Sequence, residues 1–167
     1  MTKSRETSLT TDRATDYAQR VTDGEIVAGP HVRNACRRHL DDMKRTDGIQ
    51  YAEAAAARAL RFLETKLFLS EGQFEGVPFR AHPSQAFIIG SLFGWKREDG
   101  SRRFRRAYIE EAKGNGKSPV AGGIGLYGLR ADGEAGAEIY AAGATKEQAG
   151  VLFRDAVKMV RKSPWLE

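Results

Sequence analysis

Apolar positions recur at helical spacing over the first 73 residues and lose that rhythm afterwards. The first periodic stretch starts at Asp12, runs to about Thr22 and stops near Gly24. A second starts near Pro30, whose fixed φ suits a first helical turn. Val32, Ala35, Cys36, Leu40 and Met43 keep its period to about Lys44. Asp47-Gly48 reads as a turn. The alanine-rich stretch 51–69 predicts a third helix with Leu60, Leu63 and Leu67 on its apolar edge, ended by Gly72. Residues 1–10 are polar and read as a loose tail, so the helical region spans 11–73.

Residues 74–167 have a different texture. Phe74 to Phe79 reads as extended. Pro83 opens a helix carrying Gln85, Phe87, Ile88, Leu92 and Phe93, followed by Gly94. Phe104 to Glu110 reads as a strand, Ser118 to about Leu129 as a helix, and Ala137 to Ala142 as a second strand. The helix contains Gly122, Gly123, Gly125 and Gly128. Each costs about 1 kcal/mol relative to alanine, which makes sense if the helix approaches another backbone closely. Thr145 to Arg161 is the clearest helix: Thr145 and Gln148 match a capping box, and Ala149, Leu152, Ala156, Met159 and Val160 form its stripe. Strand, glycine loop, helix, strand, helix is a βαβα order, which predicts an α/β fold with a parallel sheet.

Charge adds one feature. The chain of 167 residues, enough for one domain with a real core, carries a formal net charge of +5. Residues 96–106, KREDGSRRFRR, hold six basic and two acidic side chains, so the remainder is near neutral. Arg102, Arg103, Arg105 and Arg106 are candidate contacts to phosphate or nucleic acid; the plainer reading is a solvated turn. The single cysteine, Cys36, permits no intrachain disulfide and suits a reducing cytoplasm. No apolar run nears the roughly 18 residues of a membrane helix, and the polar N-terminus is not a secretory signal.

The strongest chemical signal is EEAKGNGKSPVAGG, residues 110–123. A phosphate-binding loop joins a strand to a helix and turns its backbone N–H groups toward the ligand. Its lysine neutralises phosphate charge and the following hydroxyl holds magnesium. Gly114 and Gly116 supply backbone freedom, and Asn115 tolerates left-handed geometry. Lys117 and Ser118 stand at the junction with the helix. The full motif has glycine where this chain has Glu111, whose carboxylate must turn away from phosphates. Upstream, Gln85 has an amide able to donate and accept at once, as adenine requires, with Phe87 or Phe93 placed to pack near a base. The plainer alternatives are a glycine turn that happens to contain Lys-Ser, and an exposed helical glutamine.

The ordered set of segments 17–43, 61–79, 83–118, 136–160 and 163–166 resembles the large terminase subunit of tailed bacteriophages, the motor ATPase that packages DNA into the capsid. Members look like this chain in having an upstream glutamine and a deviant phosphate loop lacking the first glycine. The resemblance implies a P-loop-type parallel sheet, of which 74–167 holds only the first strands, preceded by the helical region. It implies ATP and Mg2+ as ligands. Lys117 would contact the β- and γ-phosphates, Ser118 would hold magnesium, Gly114, Asn115 and Gly116 would cradle phosphate, and Gln85 would read adenine. Many relatives carry an arginine where this chain has Lys113, which keeps the charge but loses the planar fork. Implied partners are double-stranded DNA, the small terminase subunit, the portal and procapsid, and further copies of the full-length protein, in the host bacterial cytoplasm.

Two parts of the parent activity are missing from the 167 residues. Hydrolysis needs an apolar strand ending in Asp-Glu; the nearest candidate, Val151 to Asp155, is interrupted by Arg154 and falls in a helix. The family's nuclease domain would lie beyond residue 167. The expectation is therefore an N-terminal portion that binds nucleotide without hydrolysing it. Two other classes remain open: a different P-loop enzyme such as a small-molecule kinase, and a non-enzymatic DNA-binding module built on the 96–106 turn. His31, Cys36 and His39 share the second helix, and with His82 distant they read as packing residues rather than a zinc site. Trp95 and Trp165 read as core or edge aromatics, and Asp41-Asp42 as a solvated helix face.

Overall fold

The computed structural model describes residues 12–70 and 72–166; the tail expected over 1–10 lies outside the described residues. Its elements are α1 (Arg13–Thr22), α2 (Pro30–Asp42), β1 (Ile49–Tyr51), α3 (Glu53–Lys66), a short 3-10 turn (Gly72–Phe74), α4 (Pro83–Gly94), β2 (Trp95–Arg97), α5 (Lys117–Arg130) and α6 (Lys146–Arg161).

Helix α4 is the centre. It is apolar all round, as a helix packed on several sides must be, and it supplies side chains to two cores. Phe87 joins Ala14, Tyr17, Ala18, Val21 and Cys36, the core of α1 and α2. Ala86, Ile89 and Phe93 join Leu60, Leu63, Leu67, Val120, Tyr127 and Met159, the core shared with α3, α5 and α6. Gly90 lets α1 come close: a Cβ there would lie 2.7 Å from Cβ of Ala14. Gly123 does the same for α5, where a Cβ would lie 2.8 Å from Cδ2 of the fully buried Leu63. The glycines that weaken α5 as a helix thus permit its packing on α3.

The sheet differs from the expected one. β1 and β2 pair antiparallel, with Ile49 opposite Arg97, Gln50 opposite Lys96 and Tyr51 opposite Trp95. This closes the α3–α4 segment at its base. Neither strand was legible: Tyr51 reads as the start of α3, Trp95 as a core or edge aromatic, and 96–97 as part of the basic turn. Segments 104–110 and 137–142, expected as parallel strands, join no named strand among the described residues. Both are largely exposed, with Tyr108 and Tyr140 at 89% and 82%. Parallel strands persist in sheets covered on both faces, and these segments have no such cover. The helices on either side, α5 and α6, form as the pattern predicts and pack on each other. Thr145 caps α6, its hydroxyl accepting from Gln148 N–H at 3.2 Å. The expected extended stretch 74–79 begins in the 3-10 turn and then pairs through a bridge between Phe68 and Pro78.

Candidate functional site

The glycine loop enters α5 through two left-handed residues, Gly114 at φ +89° and Gly116 at φ +78°. An L side chain at either position is strained. Gly116 is the helix N-cap and offers no side-chain cap, so the first-turn N–H groups have no side chain to satisfy them. Pro119 has no N–H, which leaves Lys117 and Ser118 as the first-turn donors. The Lys117 ammonium folds back over the loop and donates to the carbonyls of Glu111 at 2.5 Å and Ala112 at 2.8 Å. Residues 111–117 are thereby closed into a ring around one cation. Lys113 and Asn115 are exposed, and Ser118 is half-buried.

Gln85 lies against this ring. Its amide oxygen accepts from His82 N–H at 3.0 Å, completing the cap of α4, and its amide nitrogen donates to the Asn115 carbonyl at 3.4 Å. A Cβ on Gly116 would sit 3.2 Å from that nitrogen. The structure therefore brings together two segments 30 residues apart that the sequence linked only through a shared nucleotide. Glu111, the misfit of the motif, lies within electrostatic reach of Tyr17 on α1: burial, then Cys36, then Glu111 hold that phenol above its usual range. A cavity of about 130 Å³ beside Lys117 is walled by Gln85, Ile88, Ile109 and Glu111.

The four arginines of the basic turn divide into two pairs. Arg102 is bonded to Asp132 at 2.9 Å and lies over the Phe93 ring. Arg103 is bonded to Asp42 at 2.6 Å and lies against the rings of Trp95 and Phe104. Arg105 and Arg106 are exposed and line a groove of about 590 Å³ together with Lys96. Asp42 is thus no solvated partner of Asp41: it is 8% exposed and anchors Arg103. The reason is position, because Asp42 lies at the end of α2 facing the basic turn, while Asp41 points outward to Lys44.

Sequence reasoning treated His39 only as a packing residue. It is buried, accepts the indole N–H of Trp95 at Nδ1, and bonds the Thr15 hydroxyl through Nε2 at 3.1 Å. The signal was its place three residues after Cys36 on the same apolar stripe. Cys36 itself is fully buried, and burial pushes its thiol up to about 11. Among the described residues no group of three or more His, Cys, Asp or Glu side chains is placed to hold a metal. No helix among them is long and apolar enough to cross a membrane.

Residues 83–166, just over half of the chain, match the family described as the terminase large subunit, ATPase domain, and the chain belongs to that family. The match begins at the first residue of α4 and takes in Gln85, the basic turn and the glycine loop. The chain is similar to the large terminase subunit of Enterobacteria phage HK97, 30% identical over 111 residues. That alignment covers 66% of this chain and 21% of the phage protein, so the chain spans about a fifth of the length of the relative it matches. No solved structure matches.

Proposed function

We propose that residues 111–118 bind the phosphates of ATP and that the chain is the nucleotide-binding portion of a phage DNA-packaging motor. The observation that carries this reading is the ring closed by Lys117 at the uncapped start of α5. A polyphosphate is a better partner for that ammonium than two backbone carbonyls, because full charges attract more strongly than a charge and a dipole. The first-turn N–H groups then supply the hydrogen bonds, and the helix dipole favours the negative ligand.

The residues present fit the ligand. Gly114 and Gly116 hold the left-handed turns that bare the backbone, and the Lys117 ammonium reaches back to the carbonyls of Glu111 and Ala112 at the start of the loop. Ser118, at the second position of α5, would hold Mg2+ through its hydroxyl; the metal would neutralise phosphate charge. Lys113, exposed in the turn, would add a second cation near the γ-phosphate. Gln85 holds the loop against α4. For it to read adenine, its amide would have to release His82 or Asn115.

Turnover by these residues is expected to be slow. No Asp-Glu pair follows Ser118 in the sequence, and Asp155 lies inside α6 rather than at the end of a strand. In the assembled motor the partners would be double-stranded DNA, the small terminase subunit, the portal and procapsid, and further large subunits, in the host cytoplasm. Calorimetry of Mg-ATP on this chain and on Lys117→Ala tests the reading. Binding by the wild type and its loss in the variant is the expected result. Equal binding by both, or steady hydrolysis equal in both, would show that the ring is only a turn.

A further inference from the structure

Asn115 is followed by Gly116 in the loop that opens α5. Gly116 has no side chain to shield its nitrogen, and Asn115 is exposed. Among the described residues neither the Asn115 side-chain amide nor the Gly116 N–H has a hydrogen-bond partner. We propose that this pair is a self-modification site: in the chain without ligand Asn115 converts to aspartate and isoaspartate, and the new carboxylate shuts the phosphate loop. The reaction itself does not depend on the phosphate reading of Lys117; its effect on binding rests on that reading.

The Gly116 nitrogen gives its proton to hydroxide and attacks Cγ of Asn115. The N–Cγ bond forms as the Cγ–Nδ2 bond breaks, and Nδ2 leaves as ammonia with a proton from water, which regenerates hydroxide. The product is a cyclic imide spanning the two residues. Water opens it at either carbonyl. Rupture of the N–Cγ bond leaves aspartate; rupture of the original peptide bond leaves isoaspartate, whose backbone runs through Cγ. In sum an amide and water give a carboxylate and ammonium, with no redox step.

The surroundings favour this step. Gln85 donates to the Asn115 carbonyl at 3.4 Å, which draws electron density from the Asn115–Gly116 peptide and makes its N–H easier to ionise. That oxygen stays outside the imide ring, so the bond survives the reaction. Lys113 and Lys117 place two ammonium groups in the loop, and the start of α5 adds its dipole; both favour negative charge on the nitrogen. Asn34, the chain's other asparagine, is the built-in contrast. It lies inside α2, its amide oxygen accepts from Arg37 at 3.3 Å, and the nitrogen after it belongs to the helix ladder.

Ligand and reaction compete for one N–H. A phosphate seated on the loop accepts from its backbone N–H groups, Gly116 among them, and so withholds the nitrogen. Idle chains therefore age and loaded chains do not. The new carboxylate stands two residues from Lys117, where it repels phosphate and offers the ammonium a competing partner.

The test holds the folded chain in mildly alkaline buffer, with and without magnesium tripolyphosphate, and follows the peptides carrying Asn115 and Asn34 by mass spectrometry. Isomerisation at Asp-Gly pairs leaves mass unchanged, so it does not interfere. Asn115 should gain the amide-to-acid shift within about tenfold of the rate in urea, as for a loop whose opening costs little, while Asn34 stays an amide. An Asn115 that keeps its amide while the urea-unfolded chain converts overturns the proposal. Tripolyphosphate should slow the reaction in the wild type and not in Lys117→Ala. Equal rates with and without it, in a wild type that calorimetry shows to be loaded, overturn the protection. Asn115→Asp should bind tripolyphosphate about tenfold more weakly than the fresh wild type; equal affinity overturns the shut loop. If fresh wild type and Lys117→Ala bind tripolyphosphate alike, the phosphate reading fails, and the mass shift alone decides the reaction at Asn115.

Discussion

Trp95 donates its indole N–H to Nδ1 of His39 over 2.9 Å, joining the start of β2 to the last turn of α2 inside a buried aromatic cluster. Indole is a donor only, so Nδ1 is the acceptor and the imidazole proton sits on Nε2. That proton is donated to the Thr15 hydroxyl, which in turn donates to Asp12, the N-cap of α1. Tyr51 on β1 donates to the same carboxylate at 2.8 Å. One chain of bonds thus ties α1, α2, β1 and β2 together through a neutral histidine.

Protonating His39 would aim two donors at each other, so stability should fall in mild acid. Burial lowers the His39 pKa from its ordinary 6.5, outweighing Asp12 and Asp42, which raise it, while Arg38 lowers it further. The unfolded chain takes up this proton near pH 6.5 and the folded chain only below that. The stability from His39 is therefore fully present above about pH 6.5 and is lost as pH falls toward the folded value. Unfolding midpoints measured from pH 7.5 to 5.5 should drop, and His39→Gln should flatten that slope while starting lower. A wild-type midpoint that does not change over this range would refute the neutral buried histidine.

Arg103 and Arg106 should separate structure from binding. Arg103→Gln leaves the carboxylate of Asp42 buried with only Arg45 at 3.8 Å. Arg103 is itself one-fifth exposed, so the loss should be below that of a fully buried pair, about 1–3 kcal/mol. Arg106→Gln, at an exposed position, should change stability by no more than about 0.5 kcal/mol. If the groove of Arg105 and Arg106 meets DNA, the paired change Arg105→Gln with Arg106→Gln weakens salt-dependent DNA binding without moving the melting temperature. Equal melting temperatures for Arg103→Gln and wild type would sink the structural assignment.

Two glycines of α5 should respond to alanine with opposite sign. At Gly123 the added Cβ meets Cδ2 of Leu63 at 2.8 Å and its Cγ at 3.1 Å, and Leu63 is fully buried. Overpacking costs about 1–3 kcal/mol and exceeds the roughly 1 kcal/mol gained in helix propensity. At Gly128 the Cβ meets only Cδ1 of Ile139 at 3.5 Å, an ordinary contact. Gly128→Ala should therefore stabilise by up to about 1 kcal/mol. Urea unfolding of both variants distinguishes them; stabilisation by Gly123→Ala would show that α5 is not seated against Leu63.

These cases show what sequence can carry. Helices were legible because their signals are local: Pro30 and Pro83 at first turns, Thr145 as a cap, and stripes such as Leu60, Leu63 and Leu67. The loop was legible because Gly114, Gly116, Lys117 and Ser118 are adjacent. The β1–β2 pair was not, because three-residue strands such as Ile49–Tyr51 carry almost no periodicity and are fixed by a partner more than 40 residues away. The expected parallel strands failed for the converse reason. The strand reading of 104–110 and 137–142 rests on local sequence, and pairing depends on neighbours these segments lack. Asp42 and His39 became recognisable only when Arg103 and Trp95 were set beside them.

Gln85 offers the sharpest test of how the loop is held. An adenine reader and a loop clamp predict different ligand dependence. If the amide reads the base, Gln85→Ala weakens ATP and leaves tripolyphosphate binding alone. If it clamps the loop, as its bonds to His82 and Asn115 indicate, both ligands weaken by the same factor. The loss should be modest, about 0.5–1.5 kcal/mol for each neutral hydrogen bond removed, or roughly two- to twelvefold in affinity for one bond. Gln85→Glu sharpens the test: its oxygens still accept from His82 N–H, but neither can donate to the Asn115 carbonyl, and a negative charge is placed against Gly116. It should weaken both polyphosphates more than Gln85→Ala does, and the effect should shrink as salt rises. A loss confined to ATP in either variant would return Gln85 to the base and leave the loop held by Lys117 alone.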